Sequence, residues 1–580
     1  MRPAQLFRRG PAAGIASALL VACLAVLSFV AVLPGGQFVF DDHVLVEDNK
    51  DLGAAGMWRR AFQQDYYKTS QQPGGSGYYR PIAVVSNAID VRLWGEKGYA
   101  GLHRTNLLLH AAASVVLPFA LIALGATPPV AWITALFFAV HPVHAESVAF
   151  VSGRVDVLAG LGVFATLALL RRRRRGALPA FAAAALFAYL SKEAAVVLPL
   201  LVAIVWTGRD RTRSRDDDGW SLRWIALAVV SLLALLLRYA ALGKWLPTSA
   251  AESGATAAAG PAVWGQSVLF ALQSLYAPVK RLVMEPDPGA LDTGRSILGG
   301  LVALVAWVVA ARVERDARPF LRRAAMATVA AVLPVLNFLP QETPLSERFF
   351  YLASGFAFVP LGVLVNAGWR RRPAWRPAVA LVTALALVGL AGLSAWRARA
   401  WRTDRIVWKI ATEEEPRRAT HWTHYGLALM QGREFRTAVR ALQQAVELEP
   451  RNFNALHFLG MALHQNDQPD QAVTAYTRAL ELQPRNIEVH LNIGLSFVGL
   501  YRFEDAYPHF VLAVEAQPGN LDALRLAGGC AMQIGRYADS REYLDRGLRM
   551  VPNHPALRQA RRLLDEKMAA PAAPPPAAAR

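Results

Sequence analysis

Cysteine is nearly absent: Cys23 and Cys530 are the only two in 580 residues, which excludes a disulfide framework. Charge is also scarce. Charged residues make up 18% of the chain against 54% hydrophobic residues, a balance that excludes a wholly soluble globular protein. Acidic residues are fewer than basic ones, 43 against 62, leaving a formal net charge of +19. That excess does not point to nucleic acid, because the arginines gather at the ends of apolar runs: Arg8-Arg9, Arg171 to Arg175, Arg209/Arg211/Arg213/Arg215, Arg322-Arg323 and Arg370 to Arg372. Such clusters mark the cytoplasmic loops of membrane proteins, and no nucleic-acid partner is expected.

What the chain has in abundance is apolar runs, and they stop at about residue 396. A membrane domain over 1–400 followed by a soluble domain is the expected organisation. Eight runs are long enough to cross a bilayer, which takes about 20 apolar residues: 12–33, 106–125, 147–170, 222–241, 295–312, 323–340, 349–368 and 377–396. Three more, 129–141, 177–190 and 194–207, are short. Counting them as passes, with turns at His141-Pro142-Val143-His144-Ala145-Glu146 and Ser191-Lys192-Glu193, keeps the arginine clusters at 171–175 and 209–215 on the cytoplasmic side. Eleven spans are therefore expected. The first reads as a retained signal-anchor, since Leu33-Pro34-Gly35-Gly36 is a poor cleavage site. The segment 262–284, with Gln266, Gln273, Lys280 and Arg281, reads as interfacial or re-entrant.

With this parity the mixed-charge clusters fall on the outer side: Asp41-Asp42, His141/His144/Glu146, Lys192-Glu193 and Glu342/Glu347/Arg348, while Arg154 and Asp156 lie within the fourth span. Charges in apolar spans are costly and line cavities or pathways. The first outer loop, 34–105, carries Trp58-Arg59-Arg60, Asp65-Tyr66-Tyr67, Tyr79-Arg80-Pro81 and Trp94, a composition suited to helices in the headgroup layer of the lipid bilayer, with a flexible tip at Gly74-Gly75-Ser76-Gly77.

Beyond a linker at 401–418, prolines recur every 34 residues at Pro416, Pro450, Pro484, Pro518 and Pro552, with Gly426, Gly460, Gly494 and Gly528 in the same register. Small residues keep step at Ala438, Ala472, Ala506 and Ser540, and at Ala445, Ala479, Ala513 and Gly547. A period of 34 with this pattern is the tetratricopeptide repeat, two antiparallel helices per unit. Four repeats are expected at 419–452, 453–486, 487–520 and 521–554, then a capping helix at 555–568 and a disordered Ala/Pro-rich tail at 569–580. The fold class is thus all-α: a polytopic helix bundle followed by an α-solenoid, whose concave face binds extended peptide. Parity places the solenoid outside, although Arg397, Arg399 and Arg402 follow the last span.

An acidic pair after the first span, ahead of a multispan domain and tetratricopeptide repeats, resembles the transmembrane and tetratricopeptide-repeat O-mannosyltransferases and their bacterial relatives. The segments that carry the resemblance run almost the length of the chain: Phe40-Asp41-Asp42 with Asn49, Tyr79-Arg80-Pro81, Leu102 to His110, Phe138 to Ala149, Ser152-Gly153-Arg154-Val155-Asp156, Ser191-Lys192-Glu193 and Ser346 to Leu352. The resemblance implies a GT-C glycosyltransferase fold and a polyprenyl-phosphate-linked sugar donor, mannose being the expected sugar, reacting on the outer face. It also implies that an acidic residue of the first outer loop is the catalytic base or a metal ligand, which by position means Asp41 or Asp42, with Mg or Mn as the possible divalent cation.

A serine or threonine hydroxyl is a weak nucleophile and needs a carboxylate to take its proton. The leaving lipid phosphate needs cations, for which Arg80, Arg154, Lys192 and Arg348 are candidates, with His141, His144, Glu146, Asp156, Glu193 and Glu347 around them. Adjacent residues point in different directions, so one of Asp41 and Asp42 faces the acceptor and the other holds a metal or an arginine; the residue types leave the choice open. The expected function is sugar transfer to Ser/Thr of extracytoplasmic (periplasmic) protein held by the repeats, the enzyme residing in the inner membrane. The alternatives are an envelope-glycan transferase or ligase, and a non-catalytic membrane scaffold.

Overall fold

The computed structural model describes residues 11–70, 77–95, 98–171, 176–208, 217–245, 261–278, 293–336 and 345–569. Arg8, Arg9, Arg172 to Arg175, the arginines at 209–215, Gly74 to Ser76, Lys280, Arg281, Glu342 and residues 570–580 lie outside them. The described residues are helical, with no strand, and divide into unit 1, Met1–Ile410, and unit 2, Ala411–Arg580.

Unit 1 opens with α1 (Pro11–Phe29) and the first outer loop, which carries α2 (Met57–Gln63) and α3 (Pro81–Trp94). Then come α4 (Tyr99–Leu124), α5 (Pro128–Val140), α6 (Ala145–Ala149), α7 (Arg154–Leu169), α8 (Ala177–Tyr189) and α9 (Leu198–Trp206). After α10 (Asp217–Leu242) and α11 (Pro261–Tyr276) follow α12 (Thr293–Val313), α13 (Arg318–Val332), α14 (Tyr351–Ala357), α15 (Val359–Arg371), α16 (Arg376–Ala400) and α17 (Asp404–Glu414), which runs on past the boundary.

Each expected span contains helix among its described residues, but length separates them. Among the described residues six helices are long and apolar enough to cross a membrane, and seven if one bent pair counts as one span. The helices α5 and α8 have 13 residues each. At 1.5 Å per residue such a helix is about 20 Å long, short of a hydrocarbon core of about 30 Å. The count of eleven spans is not reached by length and composition. The reason is the buried environment: α5 packs against α4 and α15, and a helix enclosed by protein need not meet the lipid thickness by itself.

The bent pair departs most from the sequence expectation. Residues 147–170 do not form one straight span: Pro142–Ala149 and Arg154–Leu169 meet at 111° across a short break. A helix break leaves backbone amides and carbonyls unpaired, and buried ones need partners. Asn106, fully buried on α4, directs its Nδ2 to the carbonyls of Val148, Phe150 and Val151 at 3.3, 3.0 and 3.4 Å. The amides of the break are satisfied from the first outer loop, as described below.

Of the three arginines after the last long apolar run, Arg399 is exposed, while Arg397 and Arg402 are held by the bundle. Arg397 is 1% exposed and pairs with Glu347 at 2.5 Å, while donating to the Pro142 carbonyl. Arg402 Nε donates to the Ala31 carbonyl at 2.7 Å. Arg397 and Arg402 thus brace the bundle.

Unit 2 is a run of helix pairs: α18 (Ala419–Gln431) with α19 (Phe435–Leu448), α20 (Phe453–Gln465) with α21 (Pro469–Leu482), α22 (Ile487–Gly499) with α23 (Phe503–Ala516), and α24 (Leu521–Gln533) with α25 (Tyr537–Met550). The last helix is α26 (Pro555–Ala569). Two further features keep the 34-residue period. Asn452, Asn486 and Asn520 cap α20, α22 and α24 by accepting from the amides of Ala455, Val489 and Ala523 at 3.0, 3.1 and 3.0 Å. The turn inside each pair carries a left-handed residue: Arg433, Asp467, Tyr501 and Gly535, with φ of 58, 56, 58 and 78°.

The repeat glycines make room for the paired helix. A Cβ at Gly460 would stand 2.5 Å from the Tyr476 ring, and one at Gly494 2.6 Å from Phe510. Gly460→Val is expected to destabilise unit 2 by about 1–3 kcal/mol through overpacking, read as a lower thermal midpoint by circular dichroism.

Candidate active site

The outer loop folds back so that Asp41 and Asp42 meet different surroundings. Asp42 is 1% exposed and is the acceptor for the amides of the α6–α7 break. Its Oδ1 accepts from Ser152 N at 2.7 Å and Ser152 Oγ at 2.5 Å; its Oδ2 accepts from Val151 N at 3.3 Å and Val39 N at 3.4 Å. Burial nonetheless pushes its carboxyl up to about 7, against the pull of the Ser152 and Val39 bonds. Asp42 fastens the loop to the start of α7 and offers no open face.

Asp41 is half-buried, and its Oδ2 accepts a hydrogen bond from Tyr67 OH at 2.8 Å. Burial raises its pKa above the ordinary carboxylate value, opposed by the positive field of Arg348, the Tyr67 bond and Arg80. A carboxylate so placed is a proton acceptor beside cations. The two neighbours differ in their contacts: Asp41 lies in the field of Arg348 and Arg80, and Asp42 faces backbone amides and Ser152.

The cations arrive on separate elements. Arg80, just before α3, donates from Nε to Glu193 Oε2 at 3.0 Å and lies over the rings of Tyr78 and Tyr66. Lys192, after α8, reaches Asp156 Oδ1 on α7 at 2.5 Å and sits over the Phe349 ring. Burial lowers its pKa to about 8 even though Asp156 pulls the other way; Arg80 and Arg348 add to the lowering. Arg348 lies 3.5 Å from Glu146, which also accepts from Ser346 Oγ and from Arg348 N. Lys192 feels the charge of both Arg80 and Arg348, and so does Asp41.

Of the other candidates, Asp156 and Glu193 stand beside Lys192 and Arg80, and the rest meet different partners. Arg154 and Asp156 are not each other's partners: Arg154 is fully buried against Asp90 at 2.7 Å, the Ser86 hydroxyl and the Leu102 carbonyl, while Asp156 faces Lys192. Two residues apart on a helix, they point about 200° from each other. Arg154 is therefore a bracing group between α3, α4 and α7. His141 accepts from Val143 N and stacks near Phe358. His144 turns inward to Ser354 Oγ at 2.8 Å, among His110, Tyr351 and Phe138. Glu193 holds Arg80, Tyr79 N and Arg238, and Glu347 holds Arg397.

Among the described residues no group of three or more His, Cys, Asp or Glu is arranged to hold a metal ion. The donor set around the pair does not fit a divalent cation: Asp42 has both oxygens occupied by N–H and O–H donors, and Asp41 sits in the field of two arginines. Sequence reasoning missed Tyr67 as a partner of Asp41, Asp90 as that of Arg154, and Asp404, described below. Only Tyr67 had a local signal, its place in an aromatic pair within the outer loop.

Two tetratricopeptide-repeat family profiles match residues 408–487 and 498–564. Protein O-mannosyl-transferase Tmtc2 of Drosophila melanogaster is 28% identical over 296 residues, 48% of this chain and 31% of that one. Protein O-mannosyl-transferase TMTC4 of Homo sapiens is 34% identical over 157 residues, 25% of this chain and 21% of that one. The matched part thus spans less than a third of these relatives' own length. Among solved structures, YrrB, described as a TPR protein with an unusual peptide-binding site, is 22% identical, covering 27% of this chain and 81% of its own with a TM-score of 0.26. Over these parts of its sequence the chain is similar to protein O-mannosyl-transferases of the TMTC type and to tetratricopeptide-repeat proteins.

Proposed function

We propose that the chain is an integral-membrane glycosyltransferase of the GT-C class. It would move a sugar, mannose by kinship, from a polyprenyl-phosphate donor to Ser or Thr hydroxyls of extracytoplasmic protein. The observation that carries this reading is the half-buried Asp41 carboxylate, in a loop directly after an apolar helix, hydrogen-bonded by Tyr67 and facing Arg348 and Arg80.

In this reading the acceptor hydroxyl oxygen attacks the anomeric carbon as its proton passes to Asp41. The bond from that carbon to the phosphate oxygen breaks, and the polyprenyl phosphate leaves with the electron pair. Arg80, Lys192 and Arg348 supply fixed positive charge for it. The exposed Trp58, Ile89, Leu93 and Trp94 of α2 and α3 suit contact with the outer face of the bilayer. The repeats would hold the acceptor polypeptide, on the periplasmic side in a bacterial cell. Membranes containing the chain should incorporate labelled mannose from polyprenyl-phosphate-mannose into protein, in a linkage released by mild alkali; absence of alkali-labile label would overturn the hydroxyl acceptor.

The rate should follow a bell in pH. Asp41 must be ionised, so transfer rises with pH, with its midpoint above the ordinary carboxylate value of about 4. Transfer then falls near pH 8 as Lys192 loses its proton. Lys192→Arg should move the alkaline limb upward by more than about one unit, because a guanidinium keeps its proton. A kcat/KM profile of the two proteins checks both limbs.

A further inference from the structure

The residue before the acidic pair is strained. Phe40 has φ of 52°, the left-handed region that a bulky L residue avoids. Such strain persists only where surrounding contacts hold it. Here the holding group comes from the other end of unit 1. Asp404, at the start of α17, accepts the Phe40 amide at 3.0 Å through Oδ1 and binds His43 Nε2 at 2.7 Å through Oδ2. His43 is gripped on its other nitrogen by Glu47 at 2.5 Å. One carboxylate thus bonds to residues on both sides of Asp41-Asp42.

Neighbouring contacts point the same way. Gln37 N donates to the Arg402 carbonyl at 2.7 Å, and the Phe40 ring packs edge-on against Trp408, which is 2% exposed. All these groups belong to unit 1. The two carboxylates facing His43 hold its pKa up near 9, so the ring is cationic and the clamp is charge-assisted at neutral pH.

We propose that Asp404 is a positioning residue for Asp41: it holds Phe40 in the left-handed conformation and so aims the Asp41 carboxylate. The inference rests on the reading of Asp41 as the base. A positioning group of this kind acts on the transition state, so its loss lowers kcat and leaves KM in place.

The test compares wild type, Asp404→Ala, Asp404→Asn and the double variant Asp404→Ala/Phe40→Gly as full chains in detergent or nanodiscs. Two readouts are taken: mannose transfer from polyprenyl-phosphate-mannose, and hydrogen exchange over residues 37–43. Asp404→Ala should lower kcat about 100-fold with KM unchanged, the size of effect a small misplacement produces, and speed exchange over 37–43 only. Glycine takes the left-handed conformation without strain, so Phe40→Gly should recover about 10-fold of the lost kcat. Asp404→Asn keeps an oxygen for the Phe40 amide and should lose less; it carries the comparison if the alanine variant does not fold. Unchanged kcat, a change in KM alone, or unchanged exchange over 37–43 would overturn the proposal. Should wild type transfer no sugar, the glycosyltransferase reading fails separately, and exchange alone decides whether Asp404 holds the loop.

Discussion

Asp41→Asn should lower sugar transfer by about 100- to 10,000-fold, the range general-base catalysis supplies, while leaving the fold intact. The amide keeps the shape of the side chain and an oxygen for the Tyr67 hydroxyl, which lies 2.8 Å from Asp41 in the native chain. What it cannot do is accept the acceptor's proton. The loss should therefore fall on kcat, with the KM for donor changed little, and single-turnover transfer at saturating donor is the measurement that separates the two. A parallel fall in thermal stability would argue that Asp41 is structural. The half-buried setting of Asp41, open on one side of its bond to Tyr67, speaks against that.

Asp42→Ala should do the opposite: cost stability first and activity as a consequence. Its carboxylate is the shared acceptor for Val39 N, Val151 N, Ser152 N and Ser152 Oγ, all beside a side chain that is 1% exposed. Removing it strands buried donors, and roughly 3 kcal/mol is a fair size for the loss when each stranded group costs about 1–3 kcal/mol and water relieves some of them. Unfolding monitored in detergent should show the lowered midpoint, with no matching change for Asp41→Asn. Equal stability in the two variants would contradict the division of labour between the neighbours.

That division was invisible in the sequence, and the reason is physical. Adjacency shows that Asp41 and Asp42 diverge, but their partners come from residues 67, 151 and 152, brought together only by the fold. Local signals carried well. The 34-residue period in Pro, Gly and Ala marks helix pairs because each small residue answers a steric need, as Gly460 does beneath Tyr476. Apolar runs marked the membrane helices, yet run length could not foretell the 111° break between α6 and α7, since a break is affordable only where Asn106 and Asp42 wait for its backbone groups. Arg154 and Asp156 show the same limit. They sit two residues apart in one apolar run, and helix geometry sends one to Asp90 and the other to Lys192. Asp404 shows the limit of local reading most clearly, because its link to Phe40 joins residues 364 positions apart.

The central claim is that Asp41 is the base of a sugar-transfer site. Its most direct test measures incorporation of radiolabelled mannose from polyprenyl-phosphate-mannose into endogenous protein, in membranes carrying wild type, Asp41→Asn or Asp42→Asn at matched expression. The account predicts incorporation by wild type, none above background for Asp41→Asn at full protein stability, and for Asp42→Asn a loss that tracks its lowered stability. Incorporation by Asp41→Asn equal to wild type would contradict it.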